Sequence, residues 1–270
     1  MKNVFILILS LFCLNGNAQD IQFTEEEMKV KLDSILSEGN LLFRYENASW
    51  ISTDLAYSNE DIKRGYGRYF TYQSNDTIKT IIIDVNKENC IAEYSFLKGQ
   101  LNPDNKKLDV RKLNSRELGL LEIESKIKSQ ITDSKYGVGV PEGFSLNMIL
   151  IPGYTGYRFY IITGTSQSNV IPFGNDYFFE TDAAGNVKDW KKFHSRLIPQ
   201  STVVPNGGKL IMAIHSHLRT SPFISATDIC IFKLYGKLFE MEKLSVYSPA
   251  FGKYFVYNST TNTITVKSKD

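Results

Sequence analysis

The chain has no large excess of positive or negative charge, and it contains few cysteines. Its 31 lysines and arginines nearly balance 29 aspartates and glutamates, so we expect no nucleic-acid partner. Three cysteines among 270 residues are too few for a disulfide-built fold. Beyond its first residues the sequence has no apolar run of membrane-spanning length, so we expect no membrane span. A hydrophobic fraction of 42% leaves an ordinary globular composition.

The apolar run at the start has the form of a secretory signal peptide. A short basic start precedes apolar residues 4–14, and Gly16 and Ala18 stand where a signal peptidase requires small side chains. The run is too short to cross a membrane. We therefore expect a signal peptide over residues 1–18 and a secreted or periplasmic mature chain that starts at Gln19. The cleavage junction resembles those of exported proteins from Bacteroidetes-type bacteria.

Two cysteines, Cys90 and Cys230, remain after the signal peptide. Export permits a disulfide between them. They lack the C-x-x-C spacing of metal or redox motifs, and buried thiols are an equal alternative. The sequence leaves the choice between a bridge and two thiols open.

Helix and strand patterns alternate along the mature chain. Thr24 and Glu27 have the spacing of a capping box, which predicts a helix that stops at Gly39. A second helix is predicted from Asn114, and a short one over 227–235. The predicted strands cover residues 67–72, 77–85, 90–96, 144–151, 158–164, 176–181, 187–194, 209–214, 244–247, 254–257 and 263–266. The pattern predicts an α+β fold with a mostly antiparallel sheet, one long helix and a few short helices.

A polar stretch over residues 100–114 predicts a loop or linker between two modules. The boundary gives an N-terminal α+β module of unknown role over 19–112 and a C-terminal domain over 113–270. A second polar, glycine-bearing stretch over 164–175 is expected to be a loop. Ordinary turns and the lining of a cleft explain its composition equally well.

Two of the three histidines, His215 and His217, stand at the end of an apolar strand. Ser225 and Asp228 follow, which gives the pattern His-x-His-x7-Ser-x2-Asp. Two imidazoles and one carboxylate are zinc ligands in the number of a catalytic site, with a fourth position for water. We expect the strand to end or twist here, so that both histidines reach one ion. The third histidine, His194, is interpreted as a surface residue.

The same residues have a simpler interpretation. His215 and His217 fit polar positions at a strand end, and Ser225 and Asp228 fit the cap of the following helix. The capping role and a role in a metal site are compatible with each other.

The pattern resembles the metal-binding signature of the JAMM (JAB1/MPN/Mov34) metalloprotease family. The resemblance implies that His215, His217 and Asp228 bind zinc and that Ser225 helps to stabilise the oxyanion. It also implies a JAB/MPN-like fold for the C-terminal half.

The resemblance further implies a glutamate that activates zinc-bound water. Glu142 precedes an apolar strand that follows the second helix, and we rank it ahead of Glu180. Glu180 also fits the solvated face of a hairpin strand.

Two functions follow as expectations. The first is an exported zinc-dependent hydrolase that cuts a peptide, isopeptide or related amide bond, with a peptide or protein substrate. The alternative is a non-catalytic extracytoplasmic binding or structural module with a JAMM-like fold. A carboxylate next to a water held by the metal ligands distinguishes the enzyme from the module.

Overall fold

The computed structural model describes residues 23–203 and 210–269. The predicted signal peptide and the Gln19 start lie outside these residues. The described chain has four α-helices, and none of them is both long enough and apolar enough to cross a membrane. The helices are α1 (Glu25–Tyr57), α2 (Glu60–Gly65), α3 (Ser115–Ile131) and α4 (Ala226–Tyr235).

Antiparallel strands form most of the sheet structure, as predicted. The first sheet contains β1 (Tyr66–Ser74), β2 (Thr77–Asp84), β3 (Asn89–Phe96), β4 (Asn105–Lys107) and β5 (Arg111–Lys112). Its order is β1-β2-β3-β4, and β5 also pairs with β3. Two of these strands lie in the stretch that was expected to be a loop or linker. The prediction fails there because polar strands at a sheet edge lack the apolar alternation that marks a buried strand.

The second sheet and a separate strand pair follow α3. The strands are β6 (Ser145–Pro152), β7 (Gly156–Gly164), β8 (Val170–Gly174), β9 (Tyr177–Asp182), β10 (Val187–Lys192) and β11 (Leu197–Ser201). The sheet order is β10-β9-β7-β6, and β8 pairs with β11. The loop expected over 164–175 is therefore partly wrong. Within it, Ile171 and Phe173 of β8 are fully buried.

The last sheet contains the one parallel strand pair among the described sheets. Its strands are β12 (Met212–Ser216), β13 (Lys243–Ser248), β14 (Lys253–Asn258) and β15 (Thr263–Ser268). Strands β12 and β13 are parallel, and the other neighbours are antiparallel. A parallel pair needs a crossover connection, and α4 provides it. This β-α-β unit places the end of β12 close to the start of α4.

Helix α1 continues past Gly39, so the helix end predicted there is wrong. Gly39 is buried where α1 packs against α4, and a Cβ at this position would lie 2.7 Å from Ile229 Cβ. The glycine therefore permits two helices to approach closely. Because α1 also packs against the first sheet, one hydrophobic cluster contains residues from both predicted modules. The boundary near residue 112 stays a prediction.

The close approach of α1 and α4 predicts the effect of a single methyl group. We expect Gly39→Ala to lower the free energy of unfolding by about 1–3 kcal/mol, because Ile229 must shift to admit it. Gly119, in α3, is the matched control, since no atom lies within 4 Å of its added Cβ. Gly119→Ala should stabilise by about 0.5–1 kcal/mol. Urea unfolding of both variants measures the contrast, and equal effects would contradict the packing role of Gly39.

Both cysteines are buried free thiols. Cys90 packs in the cluster between the first two sheets, and Cys230 packs on α4 in the other cluster. Burial raises the pKa of the Cys90 thiol to about 11, so this group stays protonated at neutral pH. Of the two alternatives from the sequence, the structure has the thiols.

Candidate metal centre

The two histidines of the sequence motif meet Asp228 at the end of β12. Nε2 of His215 lies 3.2 Å from Asp228 Oδ1, and Nε2 of His217 lies 3.0 Å from Asp228 Oδ2. Strand β12 ends at Ser216, as expected. The convergence needs no twist, however, because residues two apart in an extended chain already share a face.

The third histidine joins this group, so the surface position expected for His194 is wrong. Its residue exposure is only 3%, and its Nε2 lies 3.3 Å from Asp228 Oδ1 and 3.4 Å from His215 Nε2. The chain turns inward after β10, where the Phe193 amide donates to the carbonyl of Asp176. Sequence spacing could not reveal this contact, since 21 residues separate His194 from His215. The one available signal was the scarcity of histidine, because all three come together here.

The four side chains form a donor set for one ion. One ligand atom from each of His194, His215, His217 and Asp228 lies within 4.8 Å of all the others. Metal bonds of about 2.0–2.1 Å in a tetrahedral site place donors roughly 3.3 Å apart, which is close to the nearest spacings observed. The group can therefore hold a metal ion.

Neighbouring groups orient two of the imidazoles. His194 Nδ1 lies 2.7 Å from Asp176 Oδ1, and His217 Nδ1 lies 3.1 Å from the Ser221 carbonyl oxygen. Because these oxygens can only accept hydrogen bonds, each Nδ1 donates, and Nε2 is the nitrogen left to present a lone pair to a metal ion. His217 Nε2 and Asp228 Oδ1 are buried and make no hydrogen bond. Lone pairs that face one another in this way are stabilised by a cation.

Asp228 has a second role as part of the cap of α4. Its backbone N–H donates to Ser225 Oγ at 3.0 Å, and its Oδ2 accepts from the Ser225 backbone N–H at 2.9 Å. The capping box fixes the carboxylate at the start of the helix. Ser225 Oγ also lies 2.8 Å from Asp228 Oδ2. Ser225 and Asp228 therefore cap the helix and at the same time lie at the candidate metal site.

Asp176 is a further residue of the site that the motif did not include. Besides His194 it accepts a hydrogen bond from Thr227 Oγ1, so it connects the loop after β10 to the first turn of α4. Its exposure is 2%. Carboxylate contacts of this kind orient metal-bound histidines.

The ion-free cluster has strongly shifted acid–base properties. Burial opposes charge on Asp228, but the three histidines outweigh it and hold the pKa of the carboxyl well below its usual value. Burial likewise opposes charge on His194, and Asp176 and Asp228 outweigh it, which raises the pKa of His194 well above its usual value. Burial lowers the pKa of His215. Without a metal, a proton on His194 supplies the positive charge that the carboxylates require.

The donor set is closed to solvent, and the predicted glutamates lie elsewhere. The exposed fractions of the four ligand side chains are between 0% and 2%. Glu142 is exposed in a turn before β6, and Glu180 is exposed on β9. In the described part of the chain, neither glutamate makes a hydrogen bond or ion pair with a cluster residue. The catalytic roles of Glu142 and Ser225 stay predictions.

Comparison with known proteins adds no relative. The chain matches no known family profile, no curated protein and no solved structure. The JAB/MPN fold therefore has no support from a structural neighbour, and the likeness to the JAMM family is limited to the clustered ligands.

Proposed function

We propose that the protein is an exported, non-catalytic module whose fold is held together by one buried zinc ion. The observation that supports this most strongly is the fourth ligand. His194 takes the position that a catalytic zinc site leaves for water, and all four donors are inaccessible to solvent. Four protein ligands without an open position are typical of structural zinc sites.

The chemistry of the donors supports a divalent cation. Imidazole nitrogen and carboxylate oxygen suit zinc, and the site has no thiolate or thioether that favours softer metals. The buried carboxylates of Asp176 and Asp228 carry two negative charges, which a divalent ion balances when the three histidines are neutral. Balance of this kind removes the cost of burying unpaired charge.

The ion would connect three separate parts of the chain. His194 follows β10, His215 and His217 flank the last residue of β12, and Asp228 lies in the first turn of α4. A metal that binds these residues only when they are together contributes its binding free energy to folding. The ion would thereby stabilise the module in place of a disulfide, because the two cysteines are separate free thiols.

A hydrolase is the second candidate function, and one contact favours it. Ser225 touches the ligand Asp228 and, although it is only 4% exposed, is one of the residues that line an open groove. In this version His194, oriented by Asp176, would accept the proton in place of a glutamate. The substrate would be a peptide or related amide.

The proposal predicts the mass and metal content of the protein recovered from the envelope or medium of an expressing bacterium. Native mass spectrometry should show a chain that starts at Gln19 and carries one zinc ion. A full-length cytoplasmic product would contradict export, and a metal-free chain would contradict the zinc centre. The same zinc-loaded sample should leave a peptide library intact. If the wild-type protein cleaves the library and Asp176→Asn does not, the hydrolase would replace the non-catalytic module as the proposed function.

A further inference from the structure

A groove of about 710 Å³ lies beside the metal centre. Helix α1 forms one side, and residues 191–193 and 220–226 form the other. The volume falls in the range of small-molecule sites. We propose that this groove binds an anion that carries an aromatic or aliphatic group next to its charge.

Two lysines give the groove its positive charge. Lys31 and Lys191 line it, and neither forms an ion pair with another residue of the described chain. The ammonium of the neighbouring Lys192 lies instead 4.9 Å from the centre of the Tyr177 ring, outside the groove. Partial burial and the nearby charge of Lys31 lower the pKa of Lys191. The charges of Asp189 and Asp176 act in the opposite direction but do not outweigh these effects. A bound anion would stabilise the two neighbouring cations further.

The acidic residue of the groove does not neutralise these lysines. Glu38 pairs with Arg158, and it also accepts a hydrogen bond of 2.7 Å from the Tyr160 hydroxyl. The charged side chains of the groove are three cations and Glu38, a balance of 3 − 1 = +2. The entire chain also has a formal charge of +2, so the groove is a local concentration of positive charge.

Aromatic rings lie beside the charges. Lys191 Nζ lies 4.5 Å from the centre of the Phe193 ring and 5.7 Å from that of Phe178, and Phe223 lines the same groove. Apolar walls with a few charged groups are typical of ligand sites and select ligands by shape as well as charge. The combination therefore favours an amphipathic anion over an inorganic ion.

Binding of naphthoate and naphthyl phosphate to the mature chain, measured by calorimetry, tests the proposal. The two probes share the aromatic group and distinguish a carboxylate from a phosphate. Naphthylmethanol is the neutral control. We expect at least one of the anions to bind, with affinity that falls as salt rises, and the alcohol to bind at least about tenfold more weakly.

A charge-removed variant locates the site. Combined Lys31→Gln and Lys191→Gln should weaken binding of the anion by at least about tenfold, whereas Lys98→Gln, at an exposed position outside the groove, should not. Circular dichroism checks that the variant is folded. Absence of binding by both anions, equal binding of the alcohol, or unchanged binding by the folded double variant would each overturn the proposal.

Discussion

Replacing His215 by leucine is expected to destabilise the zinc-loaded protein by roughly 4 kcal/mol when free zinc is about 1,000 times its dissociation constant. The variant would lose one of the four proposed ligands, and with it most of the binding free energy that zinc would add to folding. His215 is the most informative ligand to replace, because its Nδ1 makes no hydrogen bond to the protein. Urea unfolding in buffered zinc measures the change.

A chelator should abolish this difference. In the metal-free protein, leucine removes a buried imidazole with an unbonded nitrogen, so His215→Leu should then be neutral or stabilising. Ser216→Ala, at the exposed position between the two histidines, is the matched control and should be insensitive to zinc. A His215→Leu effect of equal size with and without chelator would show that the histidine serves packing and not metal binding.

The parts of the fold that depend on local chemistry could be predicted from the sequence. Capping boxes at Thr24 and Asn114 begin helices where predicted, because they depend on side chains three residues apart. The end of α1 could not be predicted. Gly39 is a plausible helix end by itself, and only its contact with Ile229 shows why the helix continues.

The candidate site likewise contains residues that the sequence could predict and one that it could not. His215, His217, Ser225 and Asp228 lie within one β-α-β unit, so a sequence pattern can capture them. His194 follows β10, and its place beside Asp228 depends on Asp176, which contacts both His194 and Thr227 of α4. These contacts turn a donor set with an open position into a closed one. The step from the catalytic motif to the proposed structural metal site thus depends on a tertiary contact.

A buried carboxyl group outside the metal centre is expected to make the stability of the fold depend on pH. Glu46, on α1, is 1% exposed and accepts a hydrogen bond of 2.6 Å from Asn147 Nδ2. In the described chain no lysine or arginine forms an ion pair with it. Burial raises the pKa of Glu46 to about 7, and hydrogen bonds from Asn147 and Trp50 only partly oppose this rise.

The raised pKa determines the direction of the pH effect. The folded protein holds the Glu46 proton more tightly than the unfolded chain, whose glutamates titrate near 4.5. The favourable contribution of this proton to stability is therefore fully present below pH 4.5, where the carboxyl group is protonated in both the folded and the unfolded chain. Its contribution to stability is lost as pH rises through about 7, where the folded state must bury a charge. The difference between the two pKa values corresponds to about 3 kcal/mol.

Glu46→Gln should therefore stabilise the protein at alkaline pH by up to about 3 kcal/mol and change little near pH 4.5. Glutamine is neutral at every pH and keeps an oxygen that accepts from Asn147. Urea unfolding of wild type and variant at several pH values measures the difference, in which the titration of other groups cancels. Glu142→Gln is the control, because that glutamate is exposed in a turn and its replacement should change the free energy of unfolding by less than about 0.5 kcal/mol. A Glu46→Gln gain that is equal at both ends of the range, or a loss at alkaline pH, would contradict the buried-charge account.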